Sequence, residues 1–152
     1  MTIVYRLVRA ERAGAVLSGE GARLYGGRWN PPGKAVVYAS ASRALAVLEA
    51  FVHLAAEARS MRFFLYEVAL PKGARLLRHK GARPPPSLES SQNVGRAWLD
   101  TGATLALVVP SVIVPQEPNY VLNVSHPQFA RLALSAPEPF SFDERLWRTR
   151  FA

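Results

Sequence analysis

Three residues of this sequence have both the type and the setting to do chemistry: Arg28, Glu49 and Ser111. From Ser42 onward a helical period puts Leu45, Leu48, Val52, Ala55 and Ala56 on one arc, with Glu49 at its edge. A carboxylate in that place is at least half inside the fold, either as a boundary group satisfied by an arginine or as a working carboxylate in a cleft. Arg28 follows Gly26 and Gly27 and precedes Asn30, so backbone amides and a guanidinium could together hold a phosphate or pyrophosphate, with Trp29 as a stacking face. The alternative is a tight turn whose glycines supply positive φ, with Arg28 solvated and Trp29 in the core. Tyr38 taken singly reads as a core tyrosine. Ser111, just after a buried strand and Pro110, reads as a site residue or as a turn serine.

Other chemistries find less support. The chain has no cysteine, which removes disulfides, thiolate metal sites and cysteine nucleophiles together. His53, His79 and His126 show no ligand spacing, so no metal site is expected. Gly19-Glu20-Gly21 looks like the start of a dinucleotide fingerprint, but Leu24 stands where its third glycine belongs and no strand-turn-helix context surrounds it. A net charge of +8 attracts polyanions, whether nucleic acid, a phosphate-bearing small molecule or an acidic protein. Arg75, Arg78, Lys80 and Arg83 concentrate charge in a Pro-rich stretch and make a basic nucleic-acid-binding module or ribonuclease the competing class, yet no RNA-recognition motif, helix-turn-helix signature or His pair for nuclease work accompanies them, and direct nucleic-acid binding is not expected.

The elements that must position these residues follow from pattern. The 152 residues suit one domain, and 49% hydrophobic with 20% charged residues suits a single folded core. No apolar run reaches the ~20 residues a membrane helix needs, and the first residues form no signal-type segment, so a cytoplasmic location is expected. Alternation from Ile3 to Val8 predicts a strand, followed by a polar loop, the turn-rich Gly26–Gly33 and a short buried strand ending at Ala39. Ser40 or Ser42 caps a helix predicted to run to about Ala58, and Met61–Leu70 is a strand closed by Pro71-Lys72-Gly73. The basic stretch from Arg75 to Pro86 reads as a loop, then a helix from about Ser87 to Asp100 stops at Gly102, and Leu105–Val109 is buried strand. Prolines at 115, 118, 127, 137 and 139 restrict the remainder to short strands or turns, with Phe140–Asp143 suited to a last strand. The expected fold class is α+β, a mixed compact sheet with flanking helices and without regular βαβ alternation.

Several segments together resemble the RES domain: Leu17–Ala22, Gly26-Gly27-Arg28-Trp29-Asn30, Val36–Ser40, Leu48-Glu49 with His53, Val109-Pro110-Ser111, and Asn119–Asn123 with His126-Pro127. The resemblance extends from the first strand to Leu146 and identifies residues 1–152 as a single such domain. Val124 and Gln128 depart from the family's usual proline and aspartate, which affects loop shape and none of Arg28, Tyr38, Glu49 and Ser111. The resemblance implies a fold similar to ADP-ribosyltransferases and a toxin of a bacterial toxin–antitoxin pair that depletes NAD, a substrate and not a cofactor, by hydrolysis or phosphorolysis of its nicotinamide–ribose bond. Transfer of ADP-ribose to a protein is the alternative it allows. It also implies Arg28, Tyr38, Glu49 and Ser111 as catalytic residues, Arg28, Trp29, Asn30 and Tyr38 as substrate contacts, and an Xre-type helix-turn-helix antitoxin as partner. Exposed apolar residues in the C-terminal half leave self-association as a further expectation.

Overall fold

The structure, a computed structural model, describes residues 1–148, so the last four residues of the expected domain lie outside the described residues. Its frame is a mixed eight-stranded sheet. In chain order the strands are β1 (Ile3–Arg9), β2 (Val36–Ser40), β3 (Phe63–Ala69), β4 (Leu76–Arg78), β5 (Ala106–Pro110), β6 (Pro118–Asn123), β7 (Ala133–Leu134) and β8 (Glu138–Phe140). They lie in the order β4-β5-β6-β2-β1-β3-β7, and β8 pairs with β3 as well. Only β4 and β5 run parallel. The α+β expectation is therefore correct.

One junction in this sheet differs from the rest. β1 pairs with β3 through seven consecutive residues and β2 with β6 through five, whereas β1 and β2 share the single pair Tyr5↔Ser40. The sheet thus divides into two well-bonded halves joined at one point. Each half has apolar side chains to bury, and those on β2, β5 and β6 go to both faces, as expected for strands covered on both sides. Val37, Ala39, Ala106, Val108, Tyr120 and Leu122 meet Val4, Val68 and Leu70 on one face. Val36, Leu107, Val109 and Val121 meet Trp29 and Trp98 on the other.

Helix α3 (Leu88–Thr101) covers the second face. Its Ser87 accepts from the Ser90 amide at 3.0 Å, and it stops at Gly102 in the left-handed region (φ 59°), as the sequence predicts. Helix α2 (Arg43–Phe51) is capped by Ser42, which accepts from the Leu45 amide at 3.1 Å. It ends seven residues before the expected Ala58, because the chain must turn to enter β3 and the amides of His53 and Leu54 already bond three residues back. Leu48 and Val52 are consequently exposed, and the buried side chains of α2 are Leu45 and Ala46.

Four further differences have local causes. The polar loop after β1 holds a 3-10 helix (Ala10–Ala15) and helix α1 (Glu20–Tyr25), entered through Gly19 at φ 69°. The basic stretch contains β4, where Leu76 packs against the core and the strand covers the edge of β5. Pro118 opens β6, the first position of a strand that tolerates proline, so β6 is a central strand. The last strand occupies Glu138–Phe140 instead of Phe140–Asp143, and Phe142 turns inward against Phe63 and Phe140.

Helix α3 approaches the turn before β2 so closely that a Cβ on Gly95 would lie 1.5 Å from the Trp29 carbonyl oxygen. Gly95→Ala must push helix and turn apart, and the expected loss is about 3 kcal/mol or more, a fall in Tm of ~6–12 °C. Gly14, with nothing within 4 Å of its position, provides the control. Gly14→Ala should shift Tm by less than ~2 °C in the same calorimetric experiment.

Candidate active site

A cleft of about 1230 Å³ opens over the junction of β1 and β2. Its floor is formed by residues of both strands, among them Arg6 and Tyr38, and its walls by α2, α1 and the Gly26–Trp29 turn. That volume exceeds the roughly 300–1,000 Å³ of most small-molecule sites and accommodates an extended ligand.

Glu49 reaches the cleft from α2. The arginine-paired boundary glutamate allowed by the sequence is not what the structure shows. Glu49 Oε1 accepts from the Ser111 hydroxyl at 2.6 Å and from the Asn119 amide at 2.8 Å, and among the described residues Oε2 has no partner. Ser111 is fully buried, at 0% exposed. Its oxygen also accepts from the amides of Ile113 and Val114, each at 3.0 Å. With its proton given to Glu49 and its lone pairs taken, Ser111 orients the carboxylate and has no capacity left for a nucleophilic role. The loop carrying it is tied to α2 a second time, where Ser42 donates to Glu117 at 2.9 Å.

Tyr38 is locked from below. Its hydroxyl donates to Asn30 Oδ1 at 2.6 Å and accepts from the Trp29 amide at 3.0 Å, and burial pushes the phenol well above its ordinary range, so it stays neutral. Asn30 is itself 0% exposed, and its Nδ2 donates to the carbonyls of Ala22, Pro31 and Lys34. Asn30, expected as a substrate contact, is placed as the buried bracket that holds Tyr38. Trp29, the expected stacking face, is 3% exposed and packs in the core with Trp98 under α3, at the border of the cleft.

Arg28 is exposed at the cleft and has no carboxylate partner among the described residues. The amide cradle expected around it is absent for a plain reason. The amide of Gly26 bonds the Ala22 carbonyl of α1, those of Gly27 and Asn30 bond each other's carbonyls, and that of Trp29 bonds to Tyr38. The guanidinium is what remains for an anion. Gly27 is required here by space, since a Cβ would lie 2.7 Å from the Tyr38 hydroxyl.

Two site residues escaped the sequence reading. Arg6, on β1, donates from Nε to Val16 O at 2.9 Å and from Nη1 to Tyr38 O at 2.7 Å. It too lacks a carboxylate partner among the described residues, and burial pulls it down to about 10, still charged at neutral pH. Its signal was an arginine on the strand face that carries the fully buried Val4. Asn119 is the other, in a strand obscured by Pro118.

Removing the Tyr38 hydroxyl should be costly, because it leaves the Trp29 amide and Asn30 Oδ1 unpaired in a closed setting. Tyr38→Phe is expected to lose about 2–3 kcal/mol in urea unfolding. A change below ~0.5 kcal/mol would contradict the bracket.

The chain is similar to several known proteins. A protein named Toxin Res from Yersinia enterocolitica serotype O:8 / biotype 1B is 34% identical over 151 residues, covering 95% of this chain and 99% of that protein. The Prs ADP-ribosylating toxin of a Sphingobium species is 37% identical over 141 residues, covering 87% of each. A Toxin Res from Pseudomonas putida is 37% identical over 139 residues, covering 88% of this chain and 94% of that protein. The family model described as RES domain matches residues 3–143, all the strands and the whole cleft included, and the chain belongs to the RES domain family of toxins.

Proposed function

We propose that this protein is the toxin of a bacterial toxin–antitoxin pair and that it depletes NAD in the cytoplasm by cleaving the nicotinamide–ribose bond. The observation that carries this reading is a carboxylate with one oxygen pinned and one free, in the same cleft as two arginines that lack carboxylate partners among the described residues. Arg28 and Arg6 supply the charge that the pyrophosphate of NAD requires. Glu49 Oε2 supplies negative charge where positive charge develops.

The chemistry needs little else. As the C–N bond breaks, its electron pair returns to the nicotinamide nitrogen, which leaves as a neutral molecule and needs no general acid. The ribose ring becomes oxocarbenium-like, and a nearby carboxylate stabilises it. Water or phosphate then bonds to the anomeric carbon from solution, and with water the proton lost goes to solvent. Tyr38, neutral and held by Asn30, forms a fixed surface for the bound nucleotide.

A second reading has a specific observation in its favour. One relative bears the name Prs ADP-ribosylating toxin, and transfer of ADP-ribose to a protein would use the same carboxylate with a different acceptor. Incubating the purified protein with NAD, with and without phosphate, separates the acceptors. Nicotinamide with ADP-ribose means hydrolysis, nicotinamide with a phosphorylated ADP-ribose means phosphorolysis, and product only on an added target protein means transfer. An Xre-type antitoxin fits as the partner that closes the cleft. Tyr25, Val52, Leu88 and Val112 are exposed at its walls, and the net charge of +8 suits an acidic segment.

Expression of the chain alone should lower cellular NAD before growth stops; growth arrest at unchanged NAD would refute the reading. In purified protein, Glu49→Gln should still bind NAD while losing roughly a hundred- to thousandfold in turnover, about 3–4 kcal/mol of transition-state stabilisation. Arg28→Ala should weaken NAD binding as well as turnover, because a phosphate-holding group acts in the ground state too. A folded Glu49→Gln protein that consumes NAD at the normal rate removes the centre of this reading.

A further inference from the structure

The hydrogen bonds behind Glu49 do not stop at its first partners. The amide of Asn119 donates to Glu49 Oε1 at 2.8 Å, and the other end of that amide, Oδ1, lies 2.6 Å from the Ser40 hydroxyl. Ser40 and Asn119 are direct cross-strand partners in the β2–β6 ladder. Ser40 is 4% exposed. Ser40 and Asn119 are thus both built on a central strand pair, a rigid support for the carboxylate they reach.

Its direction follows from chemistry. A carboxylate only accepts hydrogen bonds, so Asn119 must turn its NH₂ towards Glu49. Its carbonyl then faces Ser40, whose hydroxyl has to donate. On the other flank Ser111 donates to the same oxygen, and its own oxygen is held by two loop amides. Two donors on one oxygen, from β6 and from the loop between β5 and β6, fix the rotation of the carboxylate about its last bond.

We propose that Asn119, aimed by Ser40, is a positioning residue that fixes Glu49 with Oε2 alone facing the substrate. This assignment rests on the reading of Glu49 as the working carboxylate, and it explains why Glu49 has one unpartnered oxygen instead of two. Asn119 acts through Glu49 and not on the substrate. Its effect should therefore appear in the chemical step and disappear when Glu49 is absent.

The test uses Asn119→Asp, which keeps the shape of the side chain and turns a donor into an acceptor, and Ser40→Ala, which leaves the amide carbonyl without its partner. In steady-state NAD cleavage Asn119→Asp should lower kcat about a hundredfold with KM within about threefold of wild type. Ser40→Ala should lower kcat roughly three- to tenfold with KM likewise retained. A second measurement does not depend on NAD. Asn119→Asp should lower Tm by about 3–6 °C in the wild-type background and by under ~2 °C in Glu49→Ala, because only the former sets two carboxylates together. Equal Tm losses in the two backgrounds, or a folded Asn119→Asp protein with unchanged kcat, would overturn the assignment. If wild-type protein leaves NAD intact, the proposed activity fails by itself, and the paired Tm values still decide whether Asn119 holds Glu49.

Discussion

The structure depends on how the two halves of its sheet meet. Adjacent strands normally satisfy one another's backbone groups along their length, yet β1 and β2 share only the pair Tyr5↔Ser40. A carbonyl beside such an opening needs another donor. Arg6 supplies it, bonding Tyr38 O from across the junction while also holding Val16 O in the segment that follows β1. The cleft is the space this arrangement leaves, and the same guanidinium that closes the backbone gives that space positive charge. Opening and charge therefore have one origin.

Around that opening, polar side chains are fixed by buried neighbours rather than by each other. Tyr38 is set by Asn30, which is set by three carbonyls, one in α1 and two in the α1–β2 connection. Glu49 is set by the loop after β5, which also reaches the cap of α2 through Glu117 and Ser42. The exposed ion pairs, such as Arg23 with Glu20, contribute little by comparison, since solvent screens them. Arg28 is the exposed member of this group, and its side chain has no hydrogen-bond or ion-pair partner among the described residues.

Much of this was legible in the sequence, for reasons that differ between elements. β1, β3 and β5 declare themselves by alternation or by continuous apolar runs, and α3 by a serine cap and a terminal glycine. The end of α2 was not legible, because the apolar pattern continues past Phe51 where the chain turns towards β3. β4 and β6 were hidden by their composition: a basic stretch reads as loop and a proline reads as a break, although an edge strand and a strand's first residue tolerate both. In the cleft, Arg28 and Glu49 carried visible signals, and Tyr38 entered only through the family resemblance. Asn30 and Trp29 carried the same signal and point inward, and spacing cannot tell which side of a turn faces solvent. Asn119 and Arg6 became evident only through contacts between residues far apart in the chain.

The order of strands has a consequence for the birth of the protein on the ribosome. β2 emerges early but has its ladder with β6, some eighty residues later, and Glu49 must wait for Ser111 and Asn119 from the same late region. Contacts of such long separation form only after the intervening chain is made. Through most of its synthesis the polypeptide holds an arginine and a glutamate with no cleft between them. A message cut short before the final third gives a chain without the completed sheet on which the cleft is built.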